Sequence, residues 1–191
     1  ANQPTCGDCD SRLLSMNPPS PQTLEKSALE LSKKARTNQD DPVALFKGFR
    51  QAEEDRLKAW HLAGGGGREI ARQRSDMVDI LIRELFDGIV RKVVGKSLTG
   101  RLCLMAFGGY GRRELTPMSD VDILFLQAKN ANDKEVEEVI RQTIVALWDI
   151  GFKVGQATRT ISEAIDKANE DMVTKTSMLE SRFLTGDRDI F

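Results

Sequence analysis

The spacing of the apolar residues changes near residue 95, and that change limits the folds open to this chain. Before it, apolar side chains recur every three to four residues, which is typical of one helix face; they include Met77, Val78, Leu81, Leu85, Ile89 and Val93. After it come two short apolar runs, 102–107 and 121–126, whose length indicates strands. This order predicts an α+β domain in which helices flank a small sheet.

The first half of the chain is predicted to be helical. Residues 1–20 are rich in Pro, Ser, Asn and Asp and are expected to form a disordered leader, followed by a helical N-terminal region over 21–95. Helices are expected over 21–36 and 42–62, each opened by a proline. The four glycines at 64–67 are interpreted as a flexible joint, because no strand precedes them and no Gly-Lys-Ser/Thr sequence follows, as a phosphate loop requires.

The second half, 96–191, is predicted to be the core of the domain, in which strands and helices alternate. Besides the two strands above, the expected elements are a helix over 133–148, a strand over 152–159 and a last helix over 172–185, closed by Gly186. Thr160 and Glu163 have the spacing of a capping box, in which each side chain bonds the other residue's backbone N–H at a helix start.

Charge and apolar content exclude several classes of function. The 28 basic and 29 acidic residues leave a net charge of −1, which argues against nucleic-acid binding through bulk positive charge. No apolar run approaches the roughly 18 residues of a membrane span, and residues 1–10 carry no secretion-signal pattern. A cytoplasmic protein that binds neither membrane nor nucleic acid is therefore expected.

The cysteines and the single histidine offer little catalytic chemistry. Cys6 and Cys9 form a lone Cys-x-x-Cys pair, and a zinc site would need two more ligands from Cys103 and His61. Cys103 lies within an apolar run, where a free cysteine usually behaves as a small hydrophobic residue. Hydrolysis by a serine–histidine or cysteine–histidine pair is disfavoured, because His61 is the one candidate base.

Two carboxylates stand at the start of the second predicted strand. Alternate side chains of a strand share a face, so Asp120 and Asp122 are expected to project together while Val121 points into the core. Such a pair can hold Mg²⁺, which prefers oxygen ligands, and two Mg²⁺ ions are usual in nucleotidyl transfer. An Asp-x-Asp sequence is also common without a metal, so the pair alone leaves both interpretations open.

The loop between the two strands adds candidate phosphate ligands. Gly108 and Gly109 lack Cβ atoms, so their backbone can approach a ligand closely and present N–H groups to phosphate oxygens. Arg112 and Arg113 could add charge-assisted phosphate contacts, and Ser119 could donate a hydroxyl hydrogen bond. A Gly-Gly turn between strands needs no ligand either. The combination of loop and carboxylates is what favours a nucleoside triphosphate site.

These segments resemble a known family. Residues 107–109 (Phe-Gly-Gly), ten further residues and then 120–123 (Asp-Val-Asp-Ile) resemble the signature of the DNA polymerase beta-like nucleotidyltransferase superfamily. More narrowly, 108–115 and 119–122 look like the N-terminal domain of protein-PII uridylyltransferases. The similarity covers roughly residues 45–191 and extends through 147–151, 154–156, 159–160, 179–184 and 186–187.

The resemblance implies the small mixed sheet of the nucleotidyltransferase type and a role in nitrogen regulation. Such enzymes use UTP and Mg²⁺ to attach UMP to a tyrosine of the PII signalling protein, with release of pyrophosphate. It implies that Asp120 and Asp122 ligate the magnesium, with two ions expected. It also implies that Gly108, Gly109, Arg112 and Ser119 line the triphosphate site.

The sequence departs from this family at several points. Arg113 stands where the family usually has glycine, and it either crowds the loop or contacts phosphate. No acid lies in the predicted strand 152–159 to serve as the third carboxylate of many superfamily members; Arg159 stands there instead. Asp149 and Glu163 flank that strand but are disfavoured, as a helix-end residue and a capping partner. The hydrolase and sensor domains of the family are not expected in this chain.

Two alternatives to uridylyl transfer remain open at this point. The chain could be a nucleotidyltransferase that uses another nucleotide or another acceptor. It could also be a non-catalytic nucleotide-binding regulatory module, which the lack of an evident third acid favours.

Overall fold

The computed structural model describes residues 42–95, 98–128 and 133–191, with five helical residues between positions 26 and 33. The predicted leader 1–20 and most of the predicted helix 21–36 lie outside the described residues. The elements are α1 (Pro42–Leu62), α2 (Gly67–Val93), β1 (Leu102–Ala106), α3 (Gly108–Gly111), β2 (Val121–Gln127), α4 (Lys134–Ile150), β3 (Val154–Thr160), α5 (Ile161–Glu170), α6 (Met172–Leu179) and β4 (Arg182–Gly186). Within these described stretches, no helix combines the length and apolar content that crossing a membrane requires.

The four strands form one mixed sheet in the order β3-β2-β1-β4. β1 pairs antiparallel with both β2 and β4, whereas β2 pairs parallel with β3 through the crossover helix α4. This confirms the predicted α+β class, the small mixed sheet and the helices that flank it.

Helices cover both faces of the sheet. On the face that we call the main face, Val121, Ile123 and Phe125 of β2 belong to a large core that includes buried residues of α2 and α4. On the opposite face, which we call the second face, Leu124 and Leu126 of β2 pack with Cys103 and Met105 of β1 and with Ala164 of α5. Cys103 is buried as predicted, and burial raises the pKa of its thiol to about 12. Since Asp122 precedes Leu124 by two residues, its side chain lies on the second face.

The prediction of a last helix over 172–185 was wrong in its second half. The helix ends at Leu179, and Arg182–Gly186 is an edge strand beside β1. Phe183 packs on the second face and Leu184 on the main face, which is the alternation of a strand. A five-residue segment is too short for periodicity to separate strand from helix, so pairing with β1 decided its structure.

Most predictions of the helix ends from local sequence are confirmed. α1 has the predicted bounds, and the glycine run connects α1 to α2 with Gly64 at φ +94°. Thr160 and Glu163 form the predicted capping box at the start of α5. The segment 108–119 was expected to be a loop, but its first four residues form the single helical turn α3.

Candidate active site

The glycine turn α3 lies directly beside Asp122. β1 ends at Ala106. The next residue, Phe107, donates its N–H to the Asp122 carbonyl oxygen at 3.0 Å, which extends the pairing of β1 with β2. Gly108 has φ +57°, in the left-handed region that favours glycine. A Cβ atom at position 108 would lie 3.5 Å from Asp122 Oδ2. The structure therefore brings the predicted phosphate turn and a predicted carboxylate together.

Asp120 and Asp122 form a negative pair for which the described residues offer no counter-charge. Asp120 is exposed and immediately precedes β2, whereas Asp122 is half-buried within it. Burial raises the pKa of the Asp122 carboxyl, and the neighbouring charge of Asp120 raises it further. Among the described residues, no hydrogen-bond donor or basic side chain contacts either carboxylate. The pair is thus open to an external cation.

Gly155 provides the space that the Asp122 carboxylate occupies. The parallel register places Gly155 of β3 opposite Asp122, and a Cβ atom at position 155 would overlap Asp122 Oδ1. Sequence reasoning assigned no role to Gly155. A glycine inside a strand pattern is a signal of close approach by another group, and that signal could have identified it.

The structure offers no third carboxylate on β3. Gly155, Ala157 and Arg159 pair with Asp122, Leu124 and Leu126, so these three residues face the same side of the sheet as Asp122. The described parts of the chain contain no cluster of three or more His, Cys, Asp or Glu residues that could hold a metal ion.

Neither of the disfavoured acids replaces it. Asp149 lines a groove among α1, α2 and α4. None of the predicted site residues lines this groove. Glu163 Oε2 accepts the Thr160 N–H at 2.7 Å within the capping box.

A cavity of about 200 Å³ opens on the second face next to Asp122. Its lining comes from the start of α3, from β2 and β3, and from α6, and includes Phe107, Asp122, Leu124, Gly155, Ala157, Arg159 and Thr174. Its charged lining residues are Asp122 and Arg159. Arg159 thus shares a cavity with the candidate metal ligand Asp122, whereas the sequence alone left the place of Arg159 open.

A larger groove of about 690 Å³ lies among α1, α2 and α4. None of the predicted site residues lines this groove.

Both loop arginines are held by carboxylates of the chain. Arg112 bonds Glu114 Oε2 at 2.8 Å and Glu180 Oε2 at 2.5 Å, and these hydrogen bonds raise the pKa of the guanidinium. Arg113 has φ +60° and pairs with Asp76 at 3.3 Å. The resemblance implies a glycine at this position, and the left-handed backbone seen here is a conformation that favours glycine.

Ser119 is held within its own loop. Its hydroxyl lies 2.6 Å from Thr116 Oγ1, and its N–H donates to the Thr116 carbonyl oxygen at 3.1 Å. It precedes Asp120 in sequence, as predicted, but the described contacts tie it to Thr116.

Helix α2 anchors the loop through polar side chains. Arg74 Nη1 donates to the Thr116 carbonyl oxygen at 3.0 Å, and Ser75 Oγ accepts the Leu115 N–H at 3.2 Å. Both side chains are buried beside the apolar stripe that predicted the helix. Sequence reasoning missed them, although polar residues on an otherwise apolar helix face were the available signal.

Several known proteins similar to this chain share one name, which states two activities. Residues 53–177 match the nucleotidyltransferase family DUF294, a range that contains α3, Asp120, Asp122 and β3. The chain is 39% identical over 170 residues to the bifunctional uridylyltransferase/uridylyl-removing enzyme of Phenylobacterium zucineum, covering 87% of this chain and 18% of that protein. The enzyme of the same name from Caulobacter vibrioides is 40% identical over 167 residues, covering 86% and 17%.

A third relative of that name, from Rhodospirillum rubrum, is 40% identical over 130 residues, which cover 66% of this chain and 14% of the relative. The chain therefore spans less than a fifth of the length of these relatives. The family match covers more than half of the chain and includes the strand and turn that carry the paired aspartates. The chain belongs to the DUF294 nucleotidyltransferase family.

Proposed function

We propose that this domain transfers UMP from UTP to a tyrosine of the PII signalling protein, in the cytoplasm, with release of pyrophosphate. The observation that carries the proposal is the Asp122 carboxylate, which lies beside Asp120, next to the Gly108 turn and over Gly155. The names of the similar enzymes support uridylyl transfer as the reaction.

The donor set at Asp120 and Asp122 fits magnesium. Both side chains offer oxygen atoms, and no basic side chain of the described residues neutralises them. We propose that these two residues hold two Mg²⁺ ions. Bound Mg²⁺ would supply charge neutralisation for the triphosphate and favour ionisation of the attacking hydroxyl.

The protein's own residues would then orient the nucleotide. The turn at Gly108 and Gly109 would contact the phosphates, because a backbone without Cβ atoms permits close approach. Arg112 would exchange one carboxylate partner for a phosphate oxygen, and Ser119 would flank the same site. The tyrosine oxygen forms a bond to the α-phosphorus as the bond to the bridging oxygen breaks. Pyrophosphate leaves, and the hydroxyl proton passes to solvent.

The test is pyrophosphate release from UTP in the presence of Mg²⁺ and PII. We expect Asp120→Asn and Asp122→Asn each to abolish release and UMP incorporation, because each removes a charged oxygen ligand. Asp149→Asn is the matched control, since Asp149 lies in the groove among α1, α2 and α4 and should leave turnover unchanged. Transfer that survives both substitutions would contradict the metal assignment. Competition between ATP and UTP tests the choice of nucleotide.

A non-catalytic nucleotide-binding module is the second candidate. The observation in its favour is that Gly155, Ala157 and Arg159 occupy the positions of β3 that face the Asp122 side, with no acid among them. This candidate predicts that UTP and Mg²⁺ raise the melting temperature while no pyrophosphate is released. The same assay therefore separates the two candidates.

A further inference from the structure

A buried polar cluster ties the glycine turn to two distant elements. Asp79 of α2 is 2% exposed, and its Oδ1 accepts the Tyr110 hydroxyl at 2.7 Å. The same Oδ1 accepts Arg182 Nη2 at 3.0 Å, and Oδ2 accepts Arg182 Nη1. α2, α3 and β4 thus meet at one carboxylate, although Asp79 and Arg182 are 103 residues apart in sequence.

Arg182 also bonds the backbone of the turn itself. Its Nη2 donates to the Tyr110 carbonyl oxygen at 3.2 Å, and its Nε donates to the Gly111 carbonyl oxygen at 3.3 Å. The guanidinium lies 5.5 Å from the Tyr110 ring centroid. On the other side, a Cβ atom at Gly111 would overlap the Glu180 carbonyl oxygen. The turn is therefore restrained both by hydrogen bonds and by close packing.

Stability alone is a weak reason for such a cluster. A buried ion pair loses hydration on both partners, and well-packed apolar residues of similar volume are often as stabilising or more so. Asp79 and Arg182 do, however, hold each other in one geometry. Arg182 also donates hydrogen bonds to two carbonyl groups of α3, so the pair fixes the position of those groups. The expected benefit is the position of the turn.

We propose that Asp79 and Arg182 are positioning residues that hold the Gly108–Gly111 turn where it receives the nucleotide phosphates, without touching the nucleotide themselves. This inference rests on the proposed function. It predicts that nucleotide affinity depends on side chains of α2 and β4 that lie behind the turn.

The experiment compares UTP kinetics and Mg²⁺–UTP affinity in Asp79→Asn, Arg182→Lys and Tyr110→Phe. Arg182→Lys keeps the charge but loses the planar, bidentate geometry. We expect the KM for UTP and the Kd for Mg²⁺–UTP to rise at least about tenfold in Arg182→Lys and Asp79→Asn, since small misplacements of binding groups have effects of this size or greater. Tyr110→Phe should show a smaller rise, because it loses one hydrogen bond.

Arg91→Gln is the matched control. Arg91 lies on the same helix, at the groove among α1, α2 and α4, and no described contact links it to Asp79, Tyr110 or Arg182. We expect a wild-type KM for UTP in this variant. A purely structural role would lower the folded fraction, and with it the apparent kcat, in all variants without changing KM.

Tyr110 also provides a direct readout, because it is the single tyrosine of the chain. Protein labelled with fluorotyrosine should give one ¹⁹F resonance, which we expect to move in Arg182→Lys and not in Arg91→Gln. Wild-type KM and Kd in both Arg182→Lys and Asp79→Asn would overturn the proposal. If the wild type binds Mg²⁺–UTP but releases no pyrophosphate, the proposed function fails while the affinities still test positioning. If the wild type binds no nucleotide, both fail.

Discussion

At the scale of single residues, the site depends on two positions that lack a Cβ atom. The Asp122 carboxylate lies over Gly155 and next to Gly108. It occupies space that a Cβ atom at Gly155 would fill and that a Cβ atom at Gly108 would adjoin. Gly155 is not in the positive-φ region, so its backbone conformation is open to any residue. The reason for a glycine there is space for the carboxylate.

This gives a specific prediction for Gly155→Ala. The added methyl group must displace the Asp122 carboxylate, so we expect pyrophosphate release to fall about 100-fold, as misplacement of a reacting group commonly does. The melting temperature should change by only a few degrees, because an alanine is compatible with a strand. Steady-state pyrophosphate assays and thermal denaturation measure the two effects.

Gly88→Ala is the control for Gly155→Ala. Gly88 lies within α2, where the nearest atom to an added Cβ is Arg91 Nη2 at 3.9 Å. That substitution should raise stability by up to about 1 kcal/mol and leave turnover unchanged. Wild-type turnover in Gly155→Ala would contradict the role given to the glycine.

Arg113 shows how a departure from the family pattern is accommodated. A non-glycine residue in the left-handed region costs roughly 1 kcal/mol. Arg113 nevertheless adopts φ +60° and pairs with Asp76 of α2. Burial raises the pKa of the Asp76 carboxyl, and the charge of Arg113 opposes that rise. Arg113 is thus anchored to α2, and the phosphate contact considered from sequence stays a prediction.

At the scale of elements, short segments on the second face of the sheet complete the site. α6 contributes Thr174 to the cavity. Glu180, which directly follows α6, forms an ion pair with Arg112. α5 packs Ala164 against Leu124 and Leu126 of β2 and begins directly after β3 at the Thr160 capping box. The cap therefore joins a strand of the site to the helix that covers it.

Thr160→Ala should weaken this junction. Loss of the side-chain hydrogen bond to the Glu163 N–H removes an N-cap, which typically costs about 1 kcal/mol of unfolding free energy. Urea denaturation should show a lower midpoint with an unchanged slope. Thr160→Ser keeps the hydroxyl and should behave like the wild type. An equal loss of stability in both variants would show that the hydroxyl is not the stabilising group.

At the scale of the whole molecule, hydrogen-bonded carboxylates at the surface set the response to acid. Hydrogen bonds lower the pKa of several carboxyl groups; they are Asp133, Glu138, Glu163, Glu170, Asp171 and Asp187. For Glu138 the pKa falls to about 2, chiefly through its hydrogen bonds with Arg141. A group whose pKa is lower in the folded state stabilises the fold above its unfolded pKa and loses that effect as the pH falls.

We therefore expect the free energy of unfolding to decrease as the pH falls from about 5 to about 2. The raised pKa values of Asp76 and Asp122 act in the opposite direction, because these groups take up protons first in the folded state, but they are fewer. Urea denaturation at a series of pH values measures the slope. At about 1 M salt the slope should be shallower, since exposed pairs are screened. A stability that rises on acidification would contradict this account.

The sequence by itself determined the features that depend on neighbours along the chain. Helix α2, strands β1 and β2 and the capping box at Thr160 follow from periodicity and spacing, which act over a few residues. Only the tertiary structure decided what comes from distant segments: Gly155 opposite Asp122, Glu180 on Arg112, β4 in place of a helix, and Asp79 paired with Arg182. Strand register and packing set these contacts, because they join residues whose separation along the chain leaves no local pattern.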